Sequence, residues 1–252
     1  TQARPVVVTR AEGADGPLSR ELRALGLAVL LWPAVSITAG DPRPLEAALR
    51  DAGSFGWIVF ASRRAVAAVL ERLPAAPAGV RVAAIGRATA QVLRQRGWPV
   101  DLTPDEANAG ALIGALAARV TQADRGVRFL YPASSRALPT LAAGLKALGF
   151  EVTQVEAYRT EPAALDVEGC RAWIQRRAVG AVTFASPSAV IELRRALGDE
   201  DFALLLADAR PVAIGRTTAR ELTRQGLRPV ISESATLESL ARTTLRMLQA
   251  TA

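Results

Sequence analysis

VAAIGRATAQVLRQRGWPV at Val82–Val100 and VAIGRTTARELTRQGLRPV at Val212–Val230 are two versions of one phrase. Each has an apolar run, a Gly-Arg corner with threonine, a helix-like stretch, and a glycine before a second short apolar run. Ahead of the first stands IVFASRRAV (Ile58–Val66), and ahead of the second VTFASPSAV (Val182–Val190). Ser62 and Ser186 are 124 positions apart, and Gly86 and Gly215 are 129 apart. A weaker match joins VVVTR (Val6–Arg10) to RFLYPAS (Arg128–Ser134) and GLAVLLWPAV (Gly26–Val35) to GFEVTQVEAY (Gly149–Tyr158). Half of the chain therefore duplicates the other half, and the fold must consist of two similar units.

Working outward from these phrases, short apolar runs alternate with helical segments, the pattern of parallel α/β sheets with both faces covered. Ten strand candidates follow: Val6–Thr9, Ala28–Trp32, Trp57–Phe60, Val82–Ile85, Pro99–Leu102, Val127–Tyr131, Glu151–Val155, Ala181–Phe184, Pro211–Ile214 and Pro229–Ile231. Helices are expected between them, for example at Leu18–Leu25, Arg64–Arg72, Thr89–Arg96, Leu138–Leu148, Val167–Arg176, Ser188–Ala196, Thr218–Gln225 and Leu237–Leu248. The acidic run Asp199-Glu200-Asp201 reads as a solvent-facing loop, and the four tryptophans, Trp32, Trp57, Trp98 and Trp173, as packing residues.

Ligands of open parallel sheets collect at the carboxyl ends of strands, so the strand-to-helix corners are where a site is expected. Six corners are alike: Thr9-Arg10, Ala61-Ser62-Arg63, Gly86-Arg87-Ala88-Thr89, Ser134-Ser135-Arg136, Ala185-Ser186-Pro187-Ser188 and Gly215-Arg216-Thr217-Thr218. Ser, Thr and Gly at a helix start cap its free amides, and those amides also bind an anion when one is at hand. The corners predict two facing sets of anion-binding amides.

Composition narrows the chemistry. The 252 residues include 31 basic and 24 acidic side chains, a net charge of +7, no His and one Cys. Lys146 is the sole lysine, so the excess charge is guanidinium, which grips carboxylates and phosphates bidentately. Without His, and with Cys170 alone, the Ser-His-Asp and Cys-His arrangements, a disulfide framework and the usual soft metal ligands are excluded. No GxxxxGK[ST] loop occurs, and no GxGxxG follows the first strand. Basic residues run together in pairs at most and aromatics are 5%, which argues against a nucleic-acid interface despite a pI near 10.9. The most apolar window, Leu25–Val35, is too short to span a membrane. The N-terminus lacks a signal-peptide pattern, and a cytoplasmic, monomeric protein is expected.

The pieces VTFASPSAV, AIGRTTARELTRQGLRPV, VEAYRTEP (Val155–Pro162) and VVVTR, in this order and spacing, resemble the uroporphyrinogen-III synthases of tetrapyrrole biosynthesis. The resemblance implies two flavodoxin-like parallel-sheet domains joined by a two-stranded hinge. One domain would comprise 1–35 with 162–252 and the other 38–155, with linkers at 36–37 and 156–161. The implied reaction closes hydroxymethylbilane, a linear tetrapyrrole with eight carboxylates, into uroporphyrinogen III, with loss of water, inversion of the last ring and no cofactor. It also implies transient contact with the enzyme that produces hydroxymethylbilane.

Carried over by resemblance, Tyr158 would assist departure of the hydroxyl, and Thr218 would hold a substrate carboxylate with its hydroxyl and amide. Thr217, Gly215, Ser186 and Ser188 fall on the same wall of the implied cleft. Ser62, Arg63, Gly86, Thr89, Ser134 and Arg136 fall on the opposite domain, and Arg10 is a partner for a propionate or acetate. The sequence departs from the family at Ala61, Arg64 and Ala185. A non-catalytic two-domain binder of a polycarboxylate small molecule is the alternative that the same residues allow.

Overall fold

Two apolar strand sets, one per unit, decide the architecture. The computed structural model describes residues 4–119 and 126–250. The chain divides into two compact units, residues 1–36 with 161–252 and residues 37–160. In the first unit β1 (Val6–Val8), β2 (Val29–Leu31), β8 (Ala181–Phe184), β9 (Arg210–Ala213) and β10 (Val230–Ile231) form a sheet in the order β10-β9-β8-β1-β2. All four pairings are parallel. Numbered within the unit this is the 2-1-3-4-5 order of flavodoxin-like sheets. Its helices are α1 (Pro17–Ala24), α7 (Val167–Gln175), α8 (Pro187–Leu197), α9 (Asp199–Asp208), α10 (Arg216–Arg224) and α11 (Leu237–Gln249).

The second unit has the sheet order β3-β7-β6-β4-β5, from β3 (Val35–Thr38), β4 (Trp57–Phe60), β5 (Arg81–Ala84), β6 (Arg128–Ser134) and β7 (Glu151–Pro162). The β4–β5, β4–β6 and β6–β7 pairings are parallel. Around it lie α2 (Pro42–Arg50), α3 (Arg63–Leu70), α4 (Arg87–Gln95), α5 (Ala109–Ala117) and α6 (Thr140–Ala147). By the sequence repeat, β7-β6-β4-β5 corresponds to β2-β1-β8-β9, and β3 is an added edge.

Alternate residues of each strand feed different cores, as a doubly covered sheet requires. In β1, Val7 joins a cluster with Phe184, Leu193 and Leu222, whereas Val6 and Val8 join one with Leu18, Leu22 and Leu240. In β4, Ile58 and Phe60 pack with Leu93 and Trp98, whereas Trp57 and Val59 pack with Phe129, Leu112 and Leu145. Within the first sheet two buried threonines tie β8 to the β1 end. Thr183 Oγ1 donates to Val7 O at 2.8 Å, and Thr9 Oγ1 donates to Thr183 O at 2.8 Å.

Several local expectations need correction. Pro99–Leu102, expected as a strand, shrinks to a single parallel bridge between Leu102 and Ala83. Pro99 has no N–H to give a ladder, and the Asp101 carboxylate takes the Val82 amide at 2.7 Å. Helix α6 begins at Thr140 instead of Leu138, directly after Pro139, leaving residues 135–138 as loop. Asp199, Glu200 and Asp201 form the first turn of α9, where the helix dipole favours carboxylates. Gly198 makes that turn possible, since its φ of 82° suits glycine. Trp173 is 37% exposed, unlike the other three tryptophans. The strand expected over Glu151–Val155 is longer, and β7 runs on through residues 156–161 to Pro162: Ser134 pairs with Tyr158, and the Ser135 amide donates to Tyr158 O at 3.0 Å.

Candidate functional site

The corners at the carboxyl ends of the strands fall into three kinds. At the first kind, serine caps its own helix. Ser62, extended at φ −153°, accepts the Ala65 amide at 3.1 Å, and Ser186, at φ −161°, accepts the Ala189 amide at 3.3 Å. Ser188 lies 3.1 Å from Ser186, hydroxyl to hydroxyl, and Pro187 fills the first helical position, where no N–H is needed.

At the second kind, glycine stands at the cap. Gly86 before α4 and Gly215 before α10 offer no side chain, so neither helix start is capped by one. Thr89 and Thr218 occupy the third helical position of these twin corners and are 7% and 3% exposed, whereas Thr217 is exposed. The exposed hydroxyl of the Gly215 corner is therefore that of Thr217.

The remaining two corners are loops rather than helix starts. After β1, Glu12 folds back onto α1, accepting the Ser19 amide at 2.7 Å and the Ser19 hydroxyl at 2.8 Å, so the chain's own carboxylate occupies that helix end. Arg10 is held against it, Nε to Oε2 at 3.0 Å. After β6, Ser134 Oγ lies 2.9 Å from Thr160 Oγ1 and accepts the Arg136 amide at 3.2 Å, while Ser135 Oγ accepts the Thr160 amide at 3.1 Å. Glu12 and Thr160 escaped the sequence reading. The only trace of the first is a carboxylate a few residues before the Pro17 helix start.

Arginine marks three of the four true helix starts. None of α3, α4, α8 and α10 has an acidic residue in its first turn, a lack they share with α1, α2, α5 and α6, whereas α7, α9 and α11 have one. Arg63, Arg87 and Arg216 open α3, α4 and α10. A cation at a helix N-terminus opposes the dipole, by about 0.3–1 kcal/mol. Such a pattern costs stability and suits an incoming anion.

Tyr158 is brought to this region by a bulge. Opposite β6, Ala133 pairs with Glu156 and Ser134 with Tyr158, so Ala157 is the extra residue. Strict alternation would put Ala157 and Tyr158 on opposite faces, yet both pack against the cluster that includes Val66 and Phe60. The phenol thus reaches the start of α3, where the Ser62 hydroxyl donates to Tyr158 Oη at 3.1 Å. The chain's other tyrosine, Tyr131, is 4% exposed, and burial foremost, with the nearby Tyr158, pushes its pKa up to about 12. Burial likewise pushes the Cys170 thiol up to about 12, which makes it a poor nucleophile. Among the described residues no group of three or more His, Cys, Asp or Glu could hold a metal ion, and no helix is long and apolar enough to cross a membrane.

The chain is 32% identical over 166 residues to the uroporphyrinogen-III synthase of Synechococcus elongatus, a match that covers 62% of this chain and 61% of that protein. To the chloroplastic uroporphyrinogen-III synthase of Oryza sativa it is 31% identical, over 89% of this chain and 74% of the rice protein. A crystal structure of a mutant uroporphyrinogen III synthase from Thermus thermophilus shares the fold, with a TM-score of 0.69 at 21% identity over 98% of this chain and 99% of that one. The family model described as uroporphyrinogen-III synthase HemD matches residues 16–242, and with that match over most of its length the chain belongs to the uroporphyrinogen-III synthase family.

Proposed function

We propose that the corners of both units hold substrate carboxylates and that Tyr158 is the proton donor of the cyclisation. The activity itself comes with the family: a cyclising lyase that converts hydroxymethylbilane to uroporphyrinogen III. The observation that carries the assignment of the corners is the arginine that opens α3, α4 and α10, where no acidic first-turn residue offsets it and, in α4 and α10, no side chain caps the helix start. Amides of the Gly86 and Gly215 corners and the Thr217 hydroxyl would accept carboxylates. Thr218 contributes through its amide more than through its buried hydroxyl, and Ser186 and Ser188 flank the same unit's corner. Arg63 supplies charge beside Ser62, and Arg10 and Arg136 supply it at the two loop corners.

The chemistry asks little of the protein beyond one proton and firm positioning. The Tyr158 phenol gives its proton to the hydroxymethyl oxygen. The C–O bond breaks, its electron pair leaves with water, and the pyrrole nitrogen lone pair supplies the new C=N bond of an azafulvenium. For the last ring to be inverted, its carbon that already carries the bridge attacks that electrophile. The bond from this carbon to the bridge then breaks, its electron pair restoring the last pyrrole while the nitrogen lone pair of the neighbouring pyrrole makes the bridge carbon a second azafulvenium. The free α carbon of the last ring bonds to that bridge carbon, and the proton it loses returns to the phenolate. Because the substrate also closes unaided, transient delivery by its producing enzyme in the cytoplasm fits this chemistry.

Incubation with enzymatically generated hydroxymethylbilane, followed by separation of the type I and type III isomers, tests the reading. Type III product is expected, and Tyr158→Phe should slow its formation by about 10²-fold, the lower end for a general acid, with the melting curve preserved. Type I product alone would favour the non-catalytic polycarboxylate binder, and an unaltered rate in Tyr158→Phe would remove the phenol from the reaction.

A further inference from the structure

The Ser62 hydroxyl is engaged twice, once as acceptor and once as donor. Its oxygen accepts the Ala65 amide at 3.1 Å, and its proton is donated to Tyr158 Oη at 3.1 Å. A serine hydroxyl has one proton to give. With the Ser62 proton directed at it, Tyr158 Oη is the acceptor in that bond, and the phenol proton is left to point elsewhere. The ring has little freedom to escape this arrangement, because the bulge at Ala157 seats it against the cluster under α3.

Arg64, the next residue but one, is half-buried. Burial lowers its pKa while the charge of Tyr158 pulls it the other way, so the guanidinium and the phenol oxygen sense one another. A hydroxyl that donates to a phenol oxygen can keep that bond when the phenol gives up its own proton. We infer that Ser62 is a positioning residue, not a carboxylate ligand: it orients the Tyr158 phenol as a donor and stays bonded to the phenolate left after the proton is given up. The inference rests on Tyr158 being the donor in the cyclisation.

Three substitutions at Ser62, each made also in a Tyr158→Phe background, test it through the initial rate of type III formation. Ser62→Ala removes the donor and the cap and should lower kcat on the order of tenfold with KM within about twofold, as coupled neighbours do. Ser62→Thr keeps both bonds and should restore most of that loss. Ser62→Asp keeps the cap, and hence the melting temperature, but its carboxylate accepts the phenol proton and reverses the bond, so kcat should stay low. In the Tyr158→Phe background none of the three should lower kcat further.

A Ser62→Ala enzyme with normal kcat and raised KM would make Ser62 a substrate ligand and overturn the inference. So would full Ser62 effects persisting without the phenol. If Tyr158→Phe turns over normally, the assignment of Tyr158 itself fails; if it is slow while Ser62→Ala and Ser62→Asp are fast, only the positioning role fails.

Discussion

At Gly215 the backbone is extended, φ −175°, a conformation any residue adopts, and a Cβ would meet only the Ala235 Cβ at 3.7 Å. Neither strain nor crowding demands glycine there; what it supplies is an uncapped helix start. A serine at this position would cap α10 itself, as Ser186 caps α8. Gly215→Ser should leave the melting temperature equal or slightly higher, since Ser and Gly caps differ by only a few tenths of a kcal/mol. It should raise KM several-fold, because the new hydroxyl competes with a substrate carboxylate for the same amides. An unchanged KM in steady-state kinetics would show that no carboxylate binds at this corner. The residue types of the site were legible in the sequence, since Ser, Gly and Thr recur at repeat positions. Their division was not: whether a hydroxyl is spent on its own helix, buried like Thr218, or exposed like Thr217 depends on contacts several residues away.

Elements differ from their sequence signals where one side chain or one proline changes the local hydrogen bonding. The stretch Pro99–Leu102 has the apolar pattern of a strand and is placed like β10, but Asp101 and Pro99 reduce it to one bridge. Asp101→Ala takes away the acceptor of the buried Val82 amide and should cost about 1 kcal/mol, at the lower end for an orphaned amide because Asp101 itself is exposed. Asp101→Asn, which keeps an acceptor, should recover most of it in urea unfolding. The bulge in β7 is the opposite case. Its residues, Glu156-Ala157-Tyr158, have no glycine or other marker, and the extra residue is defined only by the partner strand. Helix α2 is announced by Asp41, which caps it and accepts the Arg43 amide at 3.0 Å, and by Pro42 in its first turn. In α5, ANAGALIGALA offers no polar face from which to read a helical period.

Across the whole molecule, the permuted division is the main consequence of the chain's path. Among the described residues every buried cluster draws on one unit alone: two on residues 1–36 with 161–252, two on residues 37–160. Phe129, fully buried and 4.5 Å from Phe150 between ring centroids, belongs to the second unit. Phe129→Ala should cost that unit about 3–5 kcal/mol, and calorimetry should show one transition lowered while that of the other unit stays in place. A uniform downward shift of a single transition would show that the units unfold together.

By itself the sequence determined the duplication, the α/β class, the Arg-dominated charge and the absence of imidazole chemistry, because these rest on composition and on periodicities carried within short segments. Only the tertiary structure decided that Tyr158 faces Ser62, that Glu12 folds back onto the start of α1, and that β10 has no full counterpart in the second unit. Each depends on hydrogen bonds between strands or loops far apart in the chain, and a local pattern of residues does not specify which distant partner takes them.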